Sequence, residues 1–134
     1  MLTAVVDTNI WVSALMKSAL TRPILDAYVR HELLPIVSGE TLKELHRTLE
    51  KPRIKRLTIE EEIKEFLKFL DEFNRCMEPL SRLKVCRDPS DDIFISLAVS
   101  AKAPLVTLDN DLLVLAAQYD NILRPKEFLN KLNP

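Results

Sequence analysis

Apolar and polar residues change their spacing along this chain at regular intervals. Thr3 to Val6 is a short β-branched run that reads as a buried strand. Three polar residues, Asp7, Thr8 and Asn9, interrupt it. Apolar positions then resume with helical spacing at Ile10, Ala14 and Leu15. Arg22 to Arg30 reads as a second helix with Pro23 in its first turn. Leu33 to Val37 reads as a second strand, which Pro35 restricts to an edge or a strand start. Ser38 then caps a helix whose apolar stripe is Leu42, Leu45 and Leu49, and Pro52 breaks it. Thr58 to Glu61 has the form of a capping box, opening a helix with Ile63, Phe66, Leu67, Leu70 and Phe73 toward the core. From Cys76 to Cys86 no period stands out, and a short strand near Lys84 and Val85 is the expectation. Ile93 to Ala101 is almost wholly apolar and so predicts a buried helix, with Asp88-Pro89 as its cap and first turn. Pro104 to Thr107 is a strand, followed by a Leu-rich helix to Ala117. Ile122-Leu123 is a last strand, and Pro125 opens a terminal helix through Leu132. Strands alternating with helices predict one α/β domain over 1–134, of three layers (α/β/α) with a mainly parallel central sheet.

Composition narrows the function classes. With 134 residues, 47% of them hydrophobic, the chain is long enough for a real core. A net charge of −1 gives no global field toward nucleic acid or membrane. Cys76 and Cys86 have neither metal-type spacing nor a disulfide framework. No signal segment or membrane-length apolar run is legible, so a cytoplasmic protein with reduced thiols is expected. Gly39, the single glycine, cannot make a Walker loop or a dinucleotide fingerprint. His31 and His46 lie near no serine elbow. Chemistry in this chain falls to its carboxylates.

Asp7 sits where a strand ends and a helix begins, on the rim where parallel α/β sheets bind ligands. A plain helix cap explains it equally well. Asp109 repeats the arrangement after the strand ending at Thr107, with Asp111 two residues on. Asp91 and Asp92 both precede an apolar helix, and capping accounts for one acid there better than for two. Glu44 lies roughly 130° from the centre of its helix's stripe, the position of a solvated side chain. Lys43, Arg47, Lys51, Arg53 and Lys55 form a local basic stretch that fits a phosphate backbone or an ordinary solvated face. The acidic helix that follows should not face nucleic acid.

Taken together, Val5-Val-Asp7-Thr-Asn9, Ser38 with Glu44-Leu45, Arg87-Asp-Pro-Ser-Asp91-Asp92, and Val106-Thr107-Leu-Asp109 resemble the PIN domain family. The likeness runs on to Pro125, Phe128 and Leu129, and is strongest to its prokaryotic toxin branch, the VapC-like ribonucleases. The resemblance implies a parallel sheet with the first strand central and an acidic quartet at its rim, here Asp7, Glu44, Asp91 and Asp109. Asn9 and Thr107 match the accompanying polar positions, with Asp92 and Asp111 as supporting acids. It implies a Mg²⁺- or Mn²⁺-dependent endoribonuclease, with Asp7, Asp91 and Asp109 as metal ligands and Glu44 as holder or activator of water. It further implies an RNA substrate, a possible antitoxin partner and a homodimer. Carboxylates without imidazole or thiolate do suit hard divalent cations. Two other classes stay open: an inactive PIN-like RNA-binding or assembly module, and a phosphoryl-transfer domain using an aspartyl phosphate. Against the latter, no second Asp lies two residues after Asp7, and no acceptor Asp lies between Asp26 and Asp71.

Overall fold

Ala4, Val5 and Val6 offer no polar side chain to either face, and all three are buried, at the centre of a sheet. The computed structural model describes residues 1–134. Its strands are β1 (Leu2–Val6), β2 (Leu33–Val37), β3 (Arg75–Cys76), β4 (Leu105–Val106) and β5 (Ile122–Leu123). They pair in the order β3-β2-β1-β4-β5, and every pairing is parallel. The helices are α1 (Thr8–Leu15), α2 (Arg22–Val29), α3 (Gly39–Leu49), α4 (Pro52–Leu57), α5 (Glu60–Glu72), α6 (Asp92–Ala101), α7 (Asn110–Leu113) and α8 (Pro125–Leu132). None is long and apolar enough to cross a membrane.

Alternation along the strands splits the core in two. Ala4, Val6, Leu33 and Val106 face a layer containing Trp11, Tyr28, Leu45, Phe66, Leu70 and Phe128. Val5, Ile36, Leu105 and Ile122 face α6, through Phe94, Ile95, Leu97 and Ala98, together with Leu112 of α7. Two apolar faces on one sheet make the expected three layers. Because α6 carries one whole face, its sequence is apolar nearly all round.

Five expectations need correction or extension. β2 is not an edge strand, since β3 lies outside it; β3, however, reaches only Ile36 and Val37. The Met77 amide donates to the Val37 carbonyl, so Val37 and, two residues back, Pro35 turn their backbone polar groups away from β1. The proline nitrogen thus falls where no ladder bond is required. Second, Thr58 closes α4 rather than capping α5: its hydroxyl donates to the Ile54 carbonyl at 2.8 Å, and α5 starts after Ile59 with no side-chain cap. Third, Pro52 both stops α3 and begins a further short helix, α4, as a first-turn residue. Fourth, the extra strand is Arg75–Cys76 and not Lys84–Val85. Residues 84–86 instead wrap the start of α6, where Asp92 accepts the amides of Val85 and Cys86 at 3.1 and 2.9 Å. The helix expected to run to Ala117 also tightens into a 3₁₀ turn at Val114–Ala117.

Candidate active site

Asp7 follows β1 in a non-helical conformation (φ −59°, ψ 141°) and caps α1. Its Oδ1 accepts the Asn9 amide at 3.5 Å and its Oδ2 accepts the Thr107 hydroxyl at 2.8 Å. The residue is only 4% exposed. Burial pushes its carboxyl up to about 6, against the lowering effect of those two bonds. The neighbouring charges of Asp109 and of Glu44 on α3 push the same way as burial.

The end of β4 repeats this junction. Asp109 caps α7, with Oδ1 accepting the Asp111 amide at 2.9 Å. Between the two junctions stands Thr107, fully buried. Its single hydroxyl proton goes to Asp7, while its oxygen accepts the Asp109 amide at 3.0 Å. β1 and β4 are neighbours with Val6 opposite Val106, so the residues just past them fall side by side.

Asp91 and Asp92 are consecutive and have opposite surroundings. Asp91 ends a 3₁₀ turn (Pro89–Asp91) that Asp88 caps through the Ser90 amide. Burial, then the carboxylates of Asp109 and Asp7, push Asp91 up to about 7. Asp92 is buried, but the Cys86 amide and thiol and the Val85 amide outweigh desolvation and hold its carboxyl below the usual range. It fastens the 84–86 segment to α6 and does not join the cluster, so its expected supporting role in the site is a structural one.

One carboxylate oxygen from each of Asp91, Asp109 and Asp111 lies within 4.8 Å of the others. That is close to the span of donors around one small divalent cation, and an all-oxygen set suits Mg²⁺ or Mn²⁺. The trio differs from the expected Asp7, Asp91 and Asp109. Asp91 and Asp109 are common to both sets; Asp111, expected as an auxiliary acid, lies with them, and Asp7 accepts one hydrogen bond on each oxygen. Asn9 contributes its backbone amide, and its side chain is exposed.

Glu44 is half-buried, contrary to its helical phase. Its Oε2 is shielded from solvent and has no hydrogen-bond partner, while Thr48 Oγ1 lies 3.5 Å from Oε1. Residues from outside the helix lie near it: Arg82, Ser90 and Ile93 line a cavity with Glu44, Lys43 and Arg47. Arg82 and Ser90 carry no signal in the sequence, because the segment before α6 has no period. Of the remaining basic candidates, Lys51 and Arg53 are exposed, and Lys55 pairs with Glu50 at 3.0 Å.

Known proteins share this arrangement of elements. A crystal structure of a protein from Pyrobaculum aerophilum superposes with a TM-score of 0.62 at 18% identity, over 98% of this chain and 89% of that one, a likeness of fold. An uncharacterized protein of Methanocaldococcus jannaschii is 28% identical over 138 aligned positions, covering 95% of this chain and 89% of the relative. The model of the PIN domain matches residues 3–111, a span that contains both strand-Asp-helix junctions, Glu44 and Asp91, and the chain therefore belongs to the PIN domain family.

Proposed function

We propose that this chain, a PIN domain of nuclease-type fold, is a Mg²⁺- or Mn²⁺-dependent endoribonuclease that hydrolyses RNA phosphodiester bonds. The single observation that supports it most is the closeness of Asp91, Asp109 and Asp111, with oxygens within 4.8 Å of one another and buried Asp7 near enough for its charge to act on Asp91. Like charges so placed repel, and a cation among them relieves the repulsion. Asp91, Asp109 and Asp111 would hold the ion. When bound, such an ion supplies a water of lowered pKa and neutralises charge on a scissile phosphate. Asp7 adds negative charge near the ligands and, through Thr107, keeps the Asp109 loop in place. Glu44 Oε2, shielded and unpartnered, is the acceptor for a proton of the attacking water. No side chain of the protein serves as nucleophile.

The same reading makes the protein the toxin of a toxin–antitoxin pair, with RNA in the cytoplasm as substrate, an antitoxin as partner and a homodimer as the working form. That biological setting rests on the likeness to the toxin branch of the family. Its test is growth: expression should arrest cells, and co-expression of the neighbouring reading frame should restore them. For the chemistry, purified protein should cut structured RNA in Mn²⁺ and stop when chelator is added. Undiminished cleavage in chelator overturns the metal-dependent mechanism.

A further inference from the structure

The cavity beside Glu44 has a chemistry that the carboxylate cluster does not account for. It encloses ≈ 320 Å³ between one face of α3 and the residues on either side of Asp91. Glu40, Lys43, Glu44 and Arg47 recur at three- and four-residue steps, so a single helical face presents all four. Arg82 reaches across from the opposite wall and donates to both oxygens of Glu40, at 3.1 and 2.8 Å, which neutralises that pair. The Ser90 hydroxyl is turned to Asp88 at 2.9 Å. Glu44, Lys43 and Arg47 remain; the two cations are exposed and in no ion pair, and outnumber the one carboxylate. Two free cations therefore border a site whose own charge is strongly negative. A polyanion approaching those carboxylates is repelled at the cluster and attracted one step to the side.

We propose that this cavity is a subsite for a non-scissile backbone phosphate of a single RNA strand, next to the bond at the carboxylate cluster, with Lys43 and Arg47 as its positioning residues. The assignment rests on the nuclease reading above for the word "scissile". Arg47 brings a planar fork suited to two phosphate oxygens, and Lys43 a mobile point charge. The volume is at the small end of ligand pockets, the scale of one nucleotide and not of a duplex. Lys51, Arg53 and Lys55 do not line the cavity, so the basic track expected across residues 43–56 narrows to its first two cations.

The test is binding without metal. A short fluorescently labelled single-stranded RNA is titrated with protein in EDTA, by anisotropy, over a series of salt concentrations. Lys43→Ala/Arg47→Ala should raise Kd several-fold and flatten the plot of log Kd against log salt by about 0.7, the value for one phosphate contact on a single strand. Lys126→Ala/Lys131→Ala, the same charge change on exposed positions of α8, should keep the wild-type slope. Melting curves confirm folding, and Lys43→Gln/Arg47→Gln replaces the alanine pair if those differ. In Mn²⁺ the cavity pair should raise KM and leave kcat near wild type. An unchanged slope, equal flattening in the α8 pair, or no salt-dependent binding by wild type overturns the subsite. Absence of metal-dependent cleavage with the slope change intact overturns the nuclease reading and leaves a phosphate-binding cavity. Cleavage with an unchanged slope does the reverse.

Discussion

The two strand-Asp-helix junctions, β1 into α1 and β4 into α7, start from the same local sequence logic and end with different chemistry. Both aspartates cap a helix by accepting the amide two residues ahead, at 3.5 Å for Asp7 and 2.9 Å for Asp109. Asp7 has its second oxygen on Thr107 and is almost inaccessible, whereas Asp109 is half-buried and shares its loop with Asp111. A cap uses one carboxylate oxygen. The surroundings separate the two: a buried hydroxyl on the second oxygen at the first junction, other carboxylates within 4.8 Å at the second. Capping and ligand-holding are therefore not competing explanations of an aspartate at a helix start. One group does both when other carboxylates lie beside it.

This contrast has consequences that can be measured. The largest effect should come from Asp109→Asn, which keeps the cap because Asn caps about as well as Asp but weakens the ligand set. Cleavage should fall by about 10²–10³-fold, and the rise in melting temperature with millimolar Mn²⁺ should vanish. Asp7→Asn should retain a reduced metal shift. If Asp7→Asn loses the whole shift while Asp109→Asn keeps it, the roles assigned to the two junctions are reversed. Next comes the hydroxyl between them. Thr107→Val leaves Asp7 Oδ2 and the Asp109 amide without their partner, so activity should drop roughly 10–100-fold and stability by about 1–3 kcal/mol, with Thr107→Ser recovering most of both. A valine variant as active and stable as wild type would show that the two junctions are independent.

The smallest effect is in pH dependence. Asp7 at about 6 and Asp91 at about 7 both lie above the 3.8 of a free aspartate. Between about pH 4 and 7 the metal-free folded state therefore binds more protons than the unfolded state, and its stability falls as pH rises through that window. Denaturant titrations in chelator should show wild type more stable near the lower end. Asp7→Asn, with one such group gone, should show a shallower dependence. A flat profile for wild type would mean that burial and the neighbouring carboxylates do not raise Asp7 and Asp91 in solution.

Much of this is legible in the chain, for local reasons. The β-branched run before Asp7 and the apolar segment after Asp92 are uniform enough that burial follows from composition, so a buried strand and a buried helix can be read from it, while the strand's central place in the sheet comes from the family likeness. Arg75–Cys76 cannot, because a two-residue strand with exposed side chains leaves no period to read. Thr58 matches a capping pattern, yet the backbone carbonyl one turn earlier, Ile54, is the nearer partner. Glu44 shows the limit most clearly. Helical phase places it away from the stripe, yet its Oε2 is shielded, and it shares a cavity with Arg82, Ser90 and Ile93, far off in sequence. The four acids can be named from the family likeness, but that Asp111 sits with Asp91 and Asp109 depends on how the loops after β4 and before α6 meet in space.

Pro35 bears on what happens when the protein is concentrated. β3 pairs with the outer side of β2 only at its last two residues, and packed side chains bury Leu33 and Pro35, so that stretch is an open strand edge only until those side chains are in place during folding. An incoming strand from another molecule would look for a regular row of amide donors there. At Pro35 that row has a gap, and the ring occupies the space where the new backbone would lie. Pro35→Val would complete the row and enrich the edge in β-branched residues, a change expected to favour chain-to-chain sheet growth during refolding at high concentration, followed by light scattering.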